Sequence, residues 1–390
     1  MPFVRKFRVP LKGLPLLAIV TFLYSFVGSL TISFFPNYLK TFFHNDAYVG
    51  YVISFTAIIM LLSNFAARPL FKYFKNKLAL FQISILVHTL FYLALLFTLE
   101  STSLLVLLII KTFFAVIGGL LLSLFIRGFA TRNNLGQVEG SYFVVMNLAF
   151  LLGPLFGGLI ANRYSYFAVF AISSFISLLV HLLVYHQHFR NISLPDHSSL
   201  FANVGSYFKR RSLRYLYFLS FGLISWWVFV YTFLPLYLKN LGVTEAQIGL
   251  LFFALVIPLI LFEIPLGKLA DRYGSKIFFV LGFFVLSICS FFLLFFHSLW
   301  IFFSFIILAS LGAALLEPTR EIFFFRVTKK KESSDFLPVY RTSVDLAYLI
   351  FPFLFSNILL FSSYKFAFLF TFLVLVSFFV VSLVLWRSKI

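Results

Sequence analysis

Charged residues, acids and cysteine are all scarce in this chain of 390 residues. Only 11% of the residues are charged, whereas a soluble globular protein has about a quarter. The single cysteine, Cys289, excludes an intramolecular disulfide and a cysteine-rich metal site. The pattern Gly-x-x-x-x-Gly-Lys-Ser/Thr is absent, so nucleotide hydrolysis is not the energy source for the protein's function.

Apolar residues take the place of the missing charges. They make up 62% of the chain, the mean hydropathy is +1.03, and apolar runs recur that are long enough to cross a hydrocarbon core of about 30 Å as a helix. The first run lacks a small-x-small cleavage pattern, so we interpret it as an uncleaved span. The predicted spans 1 to 12 are 14–35, 47–66, 78–98, 103–126, 140–161, 164–186, 214–236, 246–266, 277–297, 299–319, 338–361 and 364–386.

The distribution of basic residues predicts the orientation of these spans. The net charge is +19, and nearly all of the lysines and arginines fall in the termini and in the loops on the same side as the termini. An excess of cations in cytoplasmic loops is the rule for multi-pass proteins. We therefore predict an integral protein of the cell membrane with both termini in the cytoplasm, and we exclude nucleic acid as a partner.

An internal repeat divides the chain into halves. With an offset of 199, residues 34–50 align without a gap to 233–249, and with an offset of 198, residues 147–154 align to 345–352. Parallel repeats of this kind are typical of transporter folds. The predicted units are an N-terminal six-helix bundle (1–186), a cytoplasmic linker (187–213) and a C-terminal six-helix bundle (214–390).

The sequence GKLADRYGSK, between spans 8 and 9, resembles motif A of the major facilitator superfamily. The superfamily fold is an all-α integral membrane fold with 12 transmembrane helices in two pseudo-symmetric six-helix bundles, which is what the resemblance implies here. A glycine-proline stretch in span 5 is similar to motif C of drug antiporters. The matching residues are Gly267, Asp271, Arg272, Gly274 and Lys276 for motif A, and Gly153, Pro154, Gly157 and Gly158 for motif C.

The resemblance implies a conformational latch at Asp271, stabilising an outward-open state. A carboxylate there can accept hydrogen bonds from the start of a helix in the other half, which we expect near Gly140 and Ser141. The N-terminal counterpart, 68–77, departs from the motif, with Lys72 in place of the aspartate. We expect Lys72 to pair with Glu332 or Asp335. The other candidates in this counterpart are Arg68 and Lys77.

A few polar or aromatic residues inside the spans are candidates for binding a substrate or a proton, because a charge in mid-membrane needs a partner or a wet cavity. Lys111 either faces a central cavity or packs against a carbonyl group. Glu263 either carries a proton or belongs to the motif A network. Asp345 is expected to pair with Arg341. Asn147, Trp226 and Tyr231 complete the candidates, with interfacial anchoring as the alternative for the aromatic residues.

We predict a secondary active transporter that works by alternating access, exporting a small hydrophobic or amphiphilic compound in exchange for protons. Uptake of a nutrient, such as a sugar or another metabolite, is the alternative within transport, and a polytopic membrane enzyme or a receptor is a remote one. No arrangement of catalytic side chains stands at a membrane interface, so we expect no enzyme, metal or cofactor. The expected partners are the lipid bilayer, a small-molecule substrate and protons, and we expect a monomer.

Overall fold

The computed structural model describes residues 14–74, 76–129, 135–185, 200–295 and 298–387. Within these ranges the chain is helical, and no strand occurs there. The helices are α1 (Leu14–Leu30), α2 (Phe35–Phe43), α3 (Asp46–Tyr73), α4 (Lys77–Ala94), α5 (Ser101–Phe129), α6 (Leu135–Arg163), α7 (Tyr166–Tyr185), α8 (Leu200–Lys209), α9 (Arg211–Val228), α10 (Leu234–Asn240), α11 (Glu245–Tyr273), α12 (Ser275–Phe292), α13 (Leu299–Val327), α14 (Lys330–Phe361) and α15 (Tyr364–Arg387).

The number of predicted spans is confirmed. Eleven spans of the described chain are long and apolar enough to cross a membrane, and the pair α1 and α2, bent by 42°, makes the twelfth. Span 7 consists of α9, a π-helical stretch and α10, whereas α8 lies in the predicted linker. Below, the outer face is the one holding the turns α2–α3 and α10–α11, which the distribution of basic residues predicts to lie opposite the termini.

Spans 1 and 7 are not continuous α-helices, and the prediction of one helix over 14–35 is wrong. α1 ends at Leu30 and α2 begins at Phe35. At the corresponding place in span 7, Phe229–Phe233 is π-helical. Each irregular stretch comes just before a proline, Pro36 or Pro235, which has no N–H for the carbonyl group four residues earlier.

Several helices extend beyond their predicted inner ends. α3 continues to Tyr73 and α11 to Tyr273, because hydropathy marks only the apolar part of a helix. α6 begins at Leu135 and α14 at Lys330, rather than at 140 and 338. Gly140 and Ser141 are therefore more than one turn inside α6. The expectation that they lie at the start of this helix is wrong.

The two halves pack through helix pairs that the repeat relates to each other. α3 packs along α14, and α11 packs along α6, which also contacts α1. A Cβ atom on Gly249 would lie 3.1 Å from the Cα atom of Gly158, and a Cβ atom on Gly50 would meet the Phe233 ring at 2.7 Å and the Ser356 side chain. Glycine thus allows close approach at the outer end of both pairs.

The predicted linker contains a helix, α8, which packs on the start of α14. The Tyr207 ring is fully buried and meets the Phe336 ring edge-on, with 5.7 Å between centroids. Arg210 forms a bidentate ion pair with Glu332, with N···O distances of 2.9 and 2.7 Å. The hydrogen bonds from Arg210 lower the pKa of the Glu332 carboxyl below its usual value.

Candidate functional site

A polar cluster on the outer face surrounds the carboxylate of Asp46, the first residue of α3. Lys40 of the same half forms an ion pair with it at 2.7 Å. Two donors come from the C-terminal half: the Asn240 amide at 2.6 Å and the Tyr364 hydroxyl at 2.7 Å. Lys40 also donates a hydrogen bond to the Asn240 side-chain oxygen at 2.6 Å. Asp46 therefore binds the two halves together at its helix N-terminus, where a negative charge is favoured.

A second cluster surrounds Glu245, the first residue of α11, which is only 3% exposed. Lys239 of the same half forms an ion pair with it at 3.0 Å. The donors from the N-terminal half are the Tyr166 hydroxyl at 2.6 Å and the Asn37 amide at 3.2 Å. We call the two clusters, around Asp46 and around Glu245, the outer network.

The two clusters are related by the sequence repeat. The offset of 199 relates Lys40 to Lys239 and Asp46 to Glu245, and the offset of 198 relates Tyr166 to Tyr364. Sequence reasoning aligned the two lysines but missed both carboxylates and both tyrosines. The signal was available, because two acids at equivalent places in a chain with 12 acidic residues are an uncommon coincidence.

The motif C residues pack the outer half of α6 against span 1 and α11. Gly157 faces the backbone of Leu30, and Gly153 faces Ser29. The carbonyl oxygen of Pro154 accepts a hydrogen bond from Ser33 at 3.2 Å. Gly158 lies against the backbone of α11 at Glu245 and Gly249. These residues therefore pack together the helices that carry the outer network.

Lys111 lies about 15 Å along α5 from its outer end, inside the membrane-spanning part. Its ammonium is 5.8 Å from the centroid of the Phe91 ring. In the described part of the chain, the ammonium has neither an ion pair nor a hydrogen bond. The hydrogen bond to a carbonyl group that the packing alternative requires is therefore absent there. The imidazole of His88 interacts electrostatically with Lys111. It packs on the Tyr24 ring, with 5.6 Å between the ring centroids.

In the C-terminal half, a polar cluster joins α9 and α13. The indole N–H of Trp227 donates to Glu317 at 2.8 Å, and Arg320 pairs with the same carboxylate at 2.8 Å. The Tyr231 ring, in the π-helical stretch, stacks on Trp227 with 5.3 Å between centroids. Trp226 is only 1% exposed and packs on Phe229, so it belongs to the core rather than to an accessible surface.

Asp345 is buried in α14, and its partner is not the expected arginine. The Asn64 amide, from α3 of the other half, donates to its carboxylate at 2.8 Å. Arg341 is exposed, and among the described residues it has no ion pair with Asp345. The repeat relates Asn64 to Glu263 and Asp345 to Asn147, so we expect an equivalent pairing of Glu263 with Asn147. The Glu263 side chain lies outside the described part of the chain.

The motif A turn is described in part. Gly274 has a φ of +87° and alone separates α11 from α12, which explains the glycine of the motif. Arg272 is exposed over the Tyr273 ring, and Lys276 is partly buried. The side chain of Asp271 lies outside the described part, so the latch stays a prediction.

The N-terminal counterpart of motif A differs in its turn and in its pairing. Asn76 caps α4 by accepting a hydrogen bond from the N–H of Ala79. Lys77 follows it and is buried, whereas the Arg68 side chain lies outside the described part. Lys72 is exposed, and the described structure pairs it neither with Asp335 nor with Glu332, which binds Arg210 instead.

The arrangement of twelve spans and the repeat-related clusters agree with a comparison to known families. A model of the Major Facilitator Superfamily matches residues 17–240 and 216–389. The chain belongs to the major facilitator superfamily.

Individual relatives are distant and cover parts of the chain. An uncharacterised MFS-type transporter of Methanocaldococcus jannaschii is 25% identical over 171 residues, which are 42% of this chain and 44% of that protein. An uncharacterised MFS-type transporter of Yersinia enterocolitica is 29% identical over 146 residues, 37% of each chain. The chain thus matches less than half the length of these relatives.

Solved structures match over almost the whole chain and show its fold. A mutant of the nucleoside transporter NupG has a TM-score of 0.82 with 10% identity, covering 96% of this chain and 100% of its own. A POT family transporter in complex with 5-aminolevulinic acid has a TM-score of 0.79 with 11% identity, covering 96% of each chain. This multi-pass membrane protein therefore has the architecture of the superfamily.

Proposed function

We propose that this protein is a secondary transporter that works by alternating access, in a conformation closed at the outer face. The observation that carries the proposal is the outer network, in which each half supplies a carboxylate and a tyrosine hydroxyl to the other. A rigid membrane protein has no need to join its halves through paired polar clusters at one end. Two halves that rock need contacts that form and break together.

The outer network suits a reversible closure. Its contacts are side-chain hydrogen bonds and ion pairs near the water interface, so water replaces them when the halves separate. The glycines at 50, 158 and 249 let the helices approach closely in the closed state without fixing them by large interlocking side chains. The motif A turn, on the inner face, is the proposed latch for the opposite state.

We propose Asp345 as the proton-binding group for coupled export. The carboxylate is buried, and the described structure gives it an amide partner from the other half instead of a cation. An ionised carboxylate binds the Asn64 N–H more strongly than a protonated one does. Protonation therefore weakens a contact between the halves, which links proton binding to their movement.

The test is transport into inside-out vesicles that hold the full chain. A panel of small amphiphilic dyes of both charges is added outside, with and without an acidic lumen. Export coupled to protons predicts accumulation of at least one dye that depends on the pH gradient and is lost in Asp345→Asn. The matched control is Glu100→Gln, which removes an exposed acid beside α5.

Two results contradict this proposal. One is accumulation that is the same with and without the pH gradient, which excludes proton coupling. The other is gradient-driven loss of a preloaded compound from the lumen, which supports the second candidate, uptake of a nutrient. That candidate is suggested by the solved structures of the same fold, which include a nucleoside transporter and a POT family transporter in complex with 5-aminolevulinic acid.

A further inference from the structure

We infer that Lys111 and its aromatic neighbours bind a small organic anion with a single negative charge, of the monocarboxylate class. This inference rests on the proposed function and names its substrate class. The juxtaposition that carries it is a lysine in mid-membrane, without a described counter-charge, next to the Phe91 ring and to the pair His88 and Tyr24.

The side chain of Lys111 lies toward the protein interior. At 100° per residue, Lys111 falls on the same face of α5 as Leu104, Leu108 and Gly118, which are buried. Val106 and Ile110, on the opposite part of the wheel, are 55% and 44% exposed and face lipid. Lys111 itself is partly exposed and lies on this interior face of α5, not on the face that carries Val106 and Ile110.

A positive charge in this position needs a counter-charge, because an isolated ammonium in the hydrocarbon region is costly. The described side chains of the helices that pack on α5 provide none. α1 and α4 contain no acidic residue, and Asp46 of α3 is bound by Lys40. A bound anion supplies the negative charge that these side chains do not.

The surroundings restrict the anion further. The Nδ1 atom of His88 lies 2.9 Å from the carbonyl oxygen of Ser84 and donates a hydrogen bond there, so only Nε2 of this ring can face the anion. One ammonium neutralises a carboxylate but leaves a phosphate dianion with uncompensated charge. The rings of Phe91 and Tyr24 suit an apolar or aromatic body attached to that carboxylate.

The experiment measures ligand binding to the purified full chain in detergent, through the shift in Tm. The probes are benzoate, phenylacetate and 4-phenylbutyrate, each compared with its amide and with the amine of the same carbon skeleton. We expect at least one carboxylate to raise Tm with a saturable dependence, while its amide and amine do not. Because binding is measured without turnover, this result is independent of proton coupling and of the direction of transport.

Variants of Lys111 identify the site. Lys111→Met should weaken carboxylate binding by roughly tenfold or more, the loss of a charge-assisted interaction, while Lys111→Arg retains it. Lys111→Met should also raise Tm without ligand, because it removes an uncompensated charge. The matched control is Lys209→Met, which removes an exposed lysine at the end of α8.

Any of four results would overturn the inference. Two concern the wild type: no carboxylate of the panel shifts its Tm, or amides or amines shift the Tm as much as the acids do. The third is a shift that persists in Lys111→Met, and the fourth is the full effect from chloride alone, titrated in a gluconate buffer. If Lys111→Met does not fold, the comparison of acid with amide on the wild type and on Lys111→Arg still decides the question.

Discussion

Asp46 and Glu245 occupy equivalent positions in the two halves, and each accepts a hydrogen bond from a tyrosine of the opposite half. The distances are 2.7 Å from Tyr364 and 2.6 Å from Tyr166. Each carboxylate also binds a lysine of its own half, which lies six residues earlier in the last turn of the preceding helix. The closure of the outer face is therefore reciprocal, and neither half is only a donor or only an acceptor.

Substitution by alanine should have opposite effects on stability at two glycines, Gly249 in the close contact of α11 with α6 and Gly119 in α5. A Cβ atom on Gly249 would press on the Pro154 carbonyl oxygen and on Gly158, whereas one on Gly119 meets nothing within 4 Å. Gly249→Ala should therefore destabilise the folded protein by about 1–3 kcal/mol through overpacking. Gly119→Ala should stabilise it by up to about 1 kcal/mol, because alanine is the better helix former. Thermal unfolding in detergent measures both, and shifts of the same sign would contradict the packing described here.

The turn of motif A gives a second prediction. Gly274 has a φ of +87° and a ψ of 142°, a conformation that residues with a side chain rarely adopt. Gly274→Ala should lower the free energy of unfolding by about 1–3 kcal/mol. The matched control is Gly267→Ala in the helix of the same motif, where a Cβ atom makes only an ordinary contact at 3.7 Å with Ile322. An equal effect of the two substitutions, measured by thermal unfolding, would show that backbone strain at Gly274 is not the cause.

The docking of α8 on α14 should depend on pH. The Arg210 hydrogen bonds lower the pKa of the Glu332 carboxyl from its usual 4.5, so this contact is fully present above that pH. It should be lost as the pH falls through the lowered pKa. Hydrogen exchange of the α8 amides, corrected for the intrinsic rate, should rise in this window in the wild type. Glu332→Gln should exchange faster already at neutral pH, whereas Arg211→Ala, which removes an exposed neighbouring cation, should not. A pH profile unchanged by Glu332→Gln would refute the role of this ion pair.

Hydropathy and the repeat predicted the membrane spans well, because the apolar length of a helix and the alignment of two halves are properties of the sequence alone. They did not predict the break in span 1 or the inner ends of α3 and α6. A proline near the end of an apolar run permits a bend, a π-helical stretch or an unbroken helix, and packing selects among them. Charged residues such as Lys72 continue a helix beyond the lipid, where hydropathy gives no signal.

The candidate site was predicted only in part. Lys111 and Asp345 stand out in a sequence because a charge within an apolar run is conspicuous, but their partners come from other helices. Arg341 is one turn from Asp345 and is the partner that a single helix predicts, whereas the structure supplies Asn64 from the other half. Asp46 and Glu245 lie at the ends of apolar runs, where acids are common as helix-initiating residues, so only the repeat could have singled them out.

The outer network should hold the two halves together at the outer face, and labelling of a buried position tests this directly. Ser356 is fully buried in α14 where Gly50 crosses it, and Ser356→Cys is a small change that suits a reporter. The background is Cys289→Ser, which removes the only native cysteine. Ser382→Cys, at a fully buried position of α15 away from the outer network, is the control.

The measurement is the rate at which a membrane-impermeant maleimide, added to the outer face of right-side-out membranes, labels each cysteine. We predict slow labelling of Ser356→Cys in an otherwise unchanged chain, and labelling about tenfold or more faster when Tyr166→Phe and Tyr364→Phe remove the two hydrogen bonds to the carboxylates. Ser382→Cys should stay unlabelled in both backgrounds. Equal labelling of Ser356→Cys with and without the two tyrosine hydroxyls would contradict the claim that the outer network closes this face.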